Sequence, residues 1–140
     1  MENAFNAKIL EALDKVMVIS TTDLQGNITY VNDLFCELTG YTREELIGKP
    51  HNVVRHPDVP KSVYKELWQT IKEGKIWSGA FPNVGNGGGL YVVDTTIQPV
   101  LDEAGKIVEY ISIRRVINDL MADFEQLESS KEFYDQYYAN

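Results

Sequence analysis

At 140 residues the chain has the length of one domain, and its 44% hydrophobic and 11% aromatic content is enough for an ordinary core, which excludes global disorder. A net charge of -8 argues against general affinity for nucleic acid or for an anionic membrane. The single cysteine, Cys36, excludes an intramolecular disulfide and fits a reducing compartment.

The first stretch, "MENAFNAKILEALDKV", places Phe5, Ile9, Leu10 and Leu13 at helical spacing, so residues 1–15 are expected to form an amphipathic helix. It lacks the basic region and apolar run of a secretory leader. No stretch approaches the ~20 apolar residues of a membrane span, so a cytoplasmic location without membrane insertion is expected. "VMVISTTDLQGNITYVN" then holds two short apolar runs around Asp23–Asn27, with Gly26 in the turn, and reads as an antiparallel hairpin. "NDLFCELTGY" follows as a short helix with Asn32 or Asp33 as N-cap and Gly40 as stop. Thr42 and Glu45 make a capping box for "TREELIG". Residues 50–58 read as loop, and Pro60 opens a helix over Lys61–Lys72 with Val63, Leu67, Trp68 and Ile71 on one face. "IWSGAFPNV" and "LYVVDTTIQPVL", which flank the turn "GNGGG", and "IVEYISIRRVI" read as three strands in an antiparallel meander. From Asn118 onward Leu120, Met121, Phe124 and Leu127 repeat at helical spacing in an acidic tail. The order β-β-α-α-α-β-β-β implies an α+β fold: a five-stranded antiparallel sheet with helices on one face, plus N- and C-terminal flanking helices. The implied divisions are a helix over 1–15, a central domain over 16–118 and a helical tail over 119–140.

The most unusual stretch is "NVVRHPDVPK", Asn52–Lys61, which packs Arg55, His56 and Asp58 between two prolines. From residue types alone these three form either a charged turn or a ligand clamp. A metal site is disfavoured, because two histidines and one distant cysteine are a poor ligand set. Neither a Ser-His-Asp arrangement nor a phosphate loop is present, so catalysis is not expected. Trp77 reads as core packing or as a wall against a flat π system, and Trp68 divides the same way. Asn83 reads as a turn residue or as an amide matched to a ring edge that both donates and accepts.

The same residues carry a family resemblance. "ISTTDLQGNITYVNDLFCELTGYTREELIGKPHNVVRHPDVPKSVYKELWQTIKEGKIWSGAFPN" resembles the flavin-binding PAS domains of bacterial aerotaxis receptors. "LYVVDTTIQPVLDEAGKIVEYISIRRVINDL" is similar to that group and to the flavin PAS domain of the redox sensor controlling nitrogen-fixation genes. The resemblance spans roughly residues 16–118, and "RHPDVPK" followed by "WSG" is its specific part. It implies a non-enzymatic sensor of redox state or oxygen that holds FAD non-covalently and signals to a transducer domain or chemoreceptor. A homodimer through the terminal helices is a further implied option. On this resemblance Arg55, His56 and Asp58 become the FAD clamp, Trp77 and Trp68 ring neighbours, and Asn83 the partner of the flavin pyrimidine edge. Ser20, near flavin N5, with His51 and Asn52 at the opening of the loop, completes the expected site. Members of the group carry a basic run where this chain reads "NVGNGGG". The alternatives are a PAS domain with haem or another small ligand, and a cofactor-free association module. Blue-light adduct chemistry is not expected, because "GKPHNVV" holds no cysteine and Cys36 lies on an earlier helix.

Overall fold

The computed structural model describes residues 2–117. Helix α1 covers Glu2–Val16 and leads into strand β1, Val18–Thr22, and β2, Ile28–Val31. Helices α2, Asp33–Thr39, and α3, Arg43–Leu46, follow, then a single 3-10 turn at His51–Val54 and α4 over Lys61–Lys72. The chain returns through β3, Trp77–Val84, β4, Leu90–Leu101, and β5, Ile107–Val116. The sheet order is β2-β1-β5-β4-β3, with every pair antiparallel. The expected α+β architecture is therefore observed. The expected helix beyond Asn118 lies outside the described residues.

Local chemistry explains most of the boundaries. In the β1–β2 turn, Asp23 Oδ1 accepts from the amides of Gln25 and Asn27 at 3.0 and 2.9 Å, and Gly26 takes φ 88°. Those backbone donors hold the Asp23 carboxyl below its ordinary pKa. Asn32, rather than Asp33, caps α2 by accepting from the Phe35 amide at 3.1 Å, and Gly40 closes that helix in the left-handed region. The Thr42–Glu45 capping box forms in both directions. Pro60 precedes the first turn of α4, and Gly74 follows its end at φ 84°. The 3-10 turn at His51–Val54 was not visible as an element, because one turn held by i→i+3 bonds leaves no periodicity to read.

Alternation along the strands sets the inner face. On β3 it presents Trp77, Phe81 and Asn83, on β4 Tyr91, Val93, Thr95 and Ile97, and on β5 Tyr110, Ser112 and Arg114. Two hydrophobic clusters cover this face. Leu67 and Ile71 of α4 pack on the β3–β4 side. Phe35, Leu46 and Val54 pack with Val18, Ile28 and Val31 on the β1–β2 side. The cavity described below opens between these clusters.

Candidate functional site

The edge of β2 carries the first wall of the site. Ile28 donates to the Lys49 carbonyl and Gly48 donates to the Ile28 carbonyl, both at 2.8 Å, so residues 48–50 run along that strand. The His51 amide then bonds the Gly26 carbonyl at 3.1 Å. The 3-10 turn is thereby swung over the sheet's inner face, and α4 forms the opposite wall. Between them lies a cavity of about 260 Å³.

Of the residues named from the sequence, the structure brings His51, Asn52, Arg55, Trp68 and Asn83 together in the lining of this cavity. Ser20, fully buried on β1, does not line it but bonds two residues that do. His56 and Asp58 border a separate groove with Val59, Val63, Pro82 and Leu90. Within the loop, the Asp58 amide donates to His56 Nδ1 at 3.0 Å. Trp77 is buried but is not among the cavity-lining residues. Its indole folds along β3 toward Phe81, with ring centroids 5.9 Å apart. A Cβ at Gly79 would stand 2.5 Å from that indole, which gives "WSG" a packing reason. Phe81 lines both the cavity and the groove.

The cavity also contains residues that sequence reasoning missed. Arg114 on β5 is the most consequential. It is only 4% exposed and points to the cavity floor. Its Nη1 donates to Ser20 Oγ at 3.2 Å and its Nη2 lies 3.0 Å from His51 Nε2. A guanidinium can only donate, so His51 Nε2 accepts and the ring is neutral with its proton on Nδ1. Ser20 Oγ lies 3.0 Å from the same nitrogen. Two donors therefore compete for one lone pair, which leaves donor capacity to spare. Burial first, and Arg114 second, lower the His51 pKa to about 3. Burial also lowers Arg114, to about 10, which still leaves it charged at neutral pH. The available signal was the alternation Tyr110, Ser112, Arg114 in "YISIRR", whose members are the buried residues of that stretch.

Tyr64 and Tyr110 were likewise missed. The Arg55 guanidinium carbon sits 3.5 Å from the Tyr64 ring centroid at the cavity wall. Arg55 also forms an isolated antiparallel bridge with Asn83, which ties the loop to β3. Asn83 satisfies its amide only with the nitrogen turned toward the Val54 and Pro82 carbonyls, at 3.2 and 3.3 Å. Tyr110 meets Trp68 edge-on, with centroids 5.7 Å apart. Gly26 sits where a Cβ would reach within 2.8 Å of the Trp68 ring.

Among the described residues four buried side-chain polar atoms have no hydrogen-bond partner: Tyr64 Oη, Thr95 Oγ1, Ser112 Oγ and Arg114 Nε. Three of these belong to cavity-lining residues. A buried donor or acceptor left unpaired costs about 1–3 kcal/mol, so their clustering gives the cavity unmet hydrogen-bonding capacity. The aromatic walls Trp68, Phe81 and Tyr110 suit a flat ring, so the residues present fit a flavin. Cys36 does not line the cavity. Among the described residues no three of His, Cys, Asp and Glu gather as a metal site, and no helix is long and apolar enough to cross a membrane.

The turn that lacks basic residues has a structural role of its own. Asn86 donates through its backbone to the Thr39 carbonyl at 2.7 Å, so the turn rests on the end of α2. A Cβ at Gly85 would lie 2.9 Å from that carbonyl oxygen.

This combination of sheet order, interposed helices and central cavity agrees with comparison to known proteins. The family model for the PAS fold matches residues 28–114, and the chain belongs to the PAS family. It is 45% identical over 115 residues to the aerotaxis receptor of Escherichia coli K12, covering 81% of this chain and 22% of that protein. It is 37% identical over 102 residues to the nitrogen fixation regulatory protein of Klebsiella pneumoniae, covering 73% and 21%. The chain thus spans about a fifth of these relatives. The PAS domain of a Colwellia psychrerythraea protein superposes with a TM-score of 0.71 at 26% identity, covering 81% of this chain and 97% of that one. The LOV domain of the Erythrobacter litoralis EL346 blue-light activated histidine kinase superposes at 0.65 with 17% identity, covering 72% and 95%, and bears on the fold alone. The chain is therefore a PAS sensor domain related to aerotaxis and nitrogen-fixation regulators.

Proposed function

We propose that this chain binds FAD non-covalently in the cavity between α4 and the sheet, and acts as a redox or oxygen sensor. The observation that carries the reading is the set of orphaned polar atoms of Tyr64, Ser112 and Arg114 around an aromatic-walled cavity. Bound FAD supplies reversible electron and proton uptake at a planar ring. Trp68, Phe81 and Tyr110 enclose that ring and exclude water, with the Asn83 amide beside its edge. Ser20, His51 and Arg114 hold the proton arrangement at the floor. A cavity of about 260 Å³ takes the ring system and leaves the diphosphate and adenosine outside. Exposed Arg55 is the cation placed to meet the diphosphate, with Asn52 beside it, while His56 and Asp58 in the adjoining groove serve the adenosine half. This division favours FAD over a shorter flavin. Trp77 acts through Phe81, against which its ring packs along β3.

The chain's role is to signal from the cytoplasm to a transducer domain or chemoreceptor, with α1 and the segment after β5 as output elements, and without catalysis. A change of charge at the ring biases the His51–Arg114–Ser20 arrangement, and through β5 the output segments, as a population shift. An absorbance spectrum of the purified protein, before and after adding FAD, tests the reading. The paired near-ultraviolet and blue bands of oxidised flavin are expected. A Soret band would instead identify haem. A colourless protein that takes up no FAD overturns the proposal and leaves an association module.

A further inference from the structure

The protein carries a net charge of -8, yet its cavity is lined by two arginines and one histidine and, among the described residues, by no Asp or Glu. Arg114 makes none of the ion pairs formed among the described residues. Its two bonded partners, Ser20 and the neutral His51, bring no negative charge. Its Nε has no hydrogen-bond partner among the described residues. An isolated buried charge costs several kcal/mol unless something compensates it. We infer that the cavity floor at Arg114 is an anion-seeking subsite, specific for a planar aromatic ligand that carries or develops negative charge on the edge facing the guanidinium.

This deepens the proposed function, on which its flavin consequence rests. Two electrons from a reductant such as dithionite, with one proton from solvent, convert a neutral oxidised flavin ring into a monoanion. A second proton would cancel that charge. Arg114 stabilises the monoanion and does nothing comparable for the neutral oxidised ring. By linkage, Arg114 raises the midpoint potential relative to the same protein without that charge. The aromatic walls supply ring affinity in both states, so they do not discriminate between them.

The experiment needs no flavin in its first arm. Benzoate and benzamide share size and shape but differ in charge. NMR titration of the flavin-free protein, read at the amides of Gly26 and Ser112, compares them. Benzoate is expected to bind about tenfold tighter or more, as a charge-assisted contact to a buried guanidinium requires. Equal affinities overturn the inference. Arg114→Gln is expected to abolish the preference and Arg114→Lys to retain part of it. If Arg55→Gln abolishes the preference while Arg114→Gln keeps it, the cation is the wrong one and the inference falls. Should Arg114→Gln not fold, which its amide spectrum reports directly, the wild-type comparison and Arg114→Lys still decide. The second arm measures the midpoint potential with FAD bound. Arg114→Gln is expected to lower it, by about 30 mV for each tenfold loss of preference in a two-electron couple. An unchanged midpoint overturns the link to the ring. Benzoate preference in a protein that takes up no FAD sinks the flavin reading and leaves the anion subsite standing. FAD uptake without benzoate preference does the reverse.

Discussion

His51 shows what a single side chain at the floor of this fold can impose. Its folded pKa of about 3 lies far below the ordinary 6.5, because the ring is enclosed and faces Arg114 and, more distantly, Arg55. The unfolded chain therefore binds the extra proton first as pH falls. The stabilisation is complete above about pH 6.5 and is lost progressively as pH drops toward 3. Between pH 7 and pH 5 we expect a loss of about 2 kcal/mol from this group. Urea unfolding of the wild type and of His51→Asn at both pH values tests it, since the variant should show a shallower pH dependence. At this scale the sequence was only partly legible. His51, Asn52, Arg55, Trp68 and Asn83, which the structure gathers around the cavity, were named through the family resemblance, since residue type alone left Arg55, Trp68 and Asn83 open between two readings. Arg114 was not, because an arginine between isoleucine and arginine on a strand reads as surface. In the sheet it stands opposite Val18 of β1 and is 4% exposed. Trp77 shows the opposite difficulty. A tryptophan beside Gly79 offers the same signature whether it faces a ligand or supports the residue that does.

Among the elements, the junction of α1, β1 and α2 depends on one amide. Asn32 Oδ1 accepts from the Ile19 and Phe35 amides, both at 3.1 Å. Its Nδ2 donates to the Met17 carbonyl at 2.8 Å and to the Asp14 carbonyl and carboxylate at 3.3 and 3.2 Å. The bond from Phe35 caps α2 and the one from Ile19 ties β1 to that cap, while the donated bonds hold down the end of α1, which otherwise exposes Phe5, Ile9 and Leu10. Asn32→Ala loses both functions and is expected to cost about 1–3 kcal/mol. Asn32→Asp keeps the acceptor, loses the donations and sets a second carboxylate near Asp14. It should leave α2 protected while accelerating hydrogen exchange in α1, and equal acceleration in both helices would refute this division of labour. The elements themselves were largely legible, because caps, glycine stops and alternation act within a few residues of each other. The 3-10 turn was not, since its position is imposed from outside by the edge of β2 and by the Arg55–Asn83 bridge. The sheet order was open for a related reason, as periodicity names strands without naming neighbours.

For the molecule as a whole, ligand binding in the cavity is linked to stability. Filling it should add stability by mass action, about 2.7 kcal/mol with FAD at one hundred times its Kd. Thermal unfolding with and without FAD measures this, and an unchanged midpoint at saturating FAD would contradict the proposed site. The sheet order has a mechanical consequence as well. β1 and β5 are antiparallel neighbours in the middle of the sheet, with Val18 opposite Arg114 at one end and Thr22 opposite Tyr110 at the other. The chain before Val18 and the chain after Val116 therefore depart from the same end of one ladder. A pull that separates these two flanks loads the hydrogen bonds one at a time, like a zipper, rather than all together in shear. The first rung to open is the one that holds Arg114, and so tension on the flanks and the contents of the cavity act on the same few atoms.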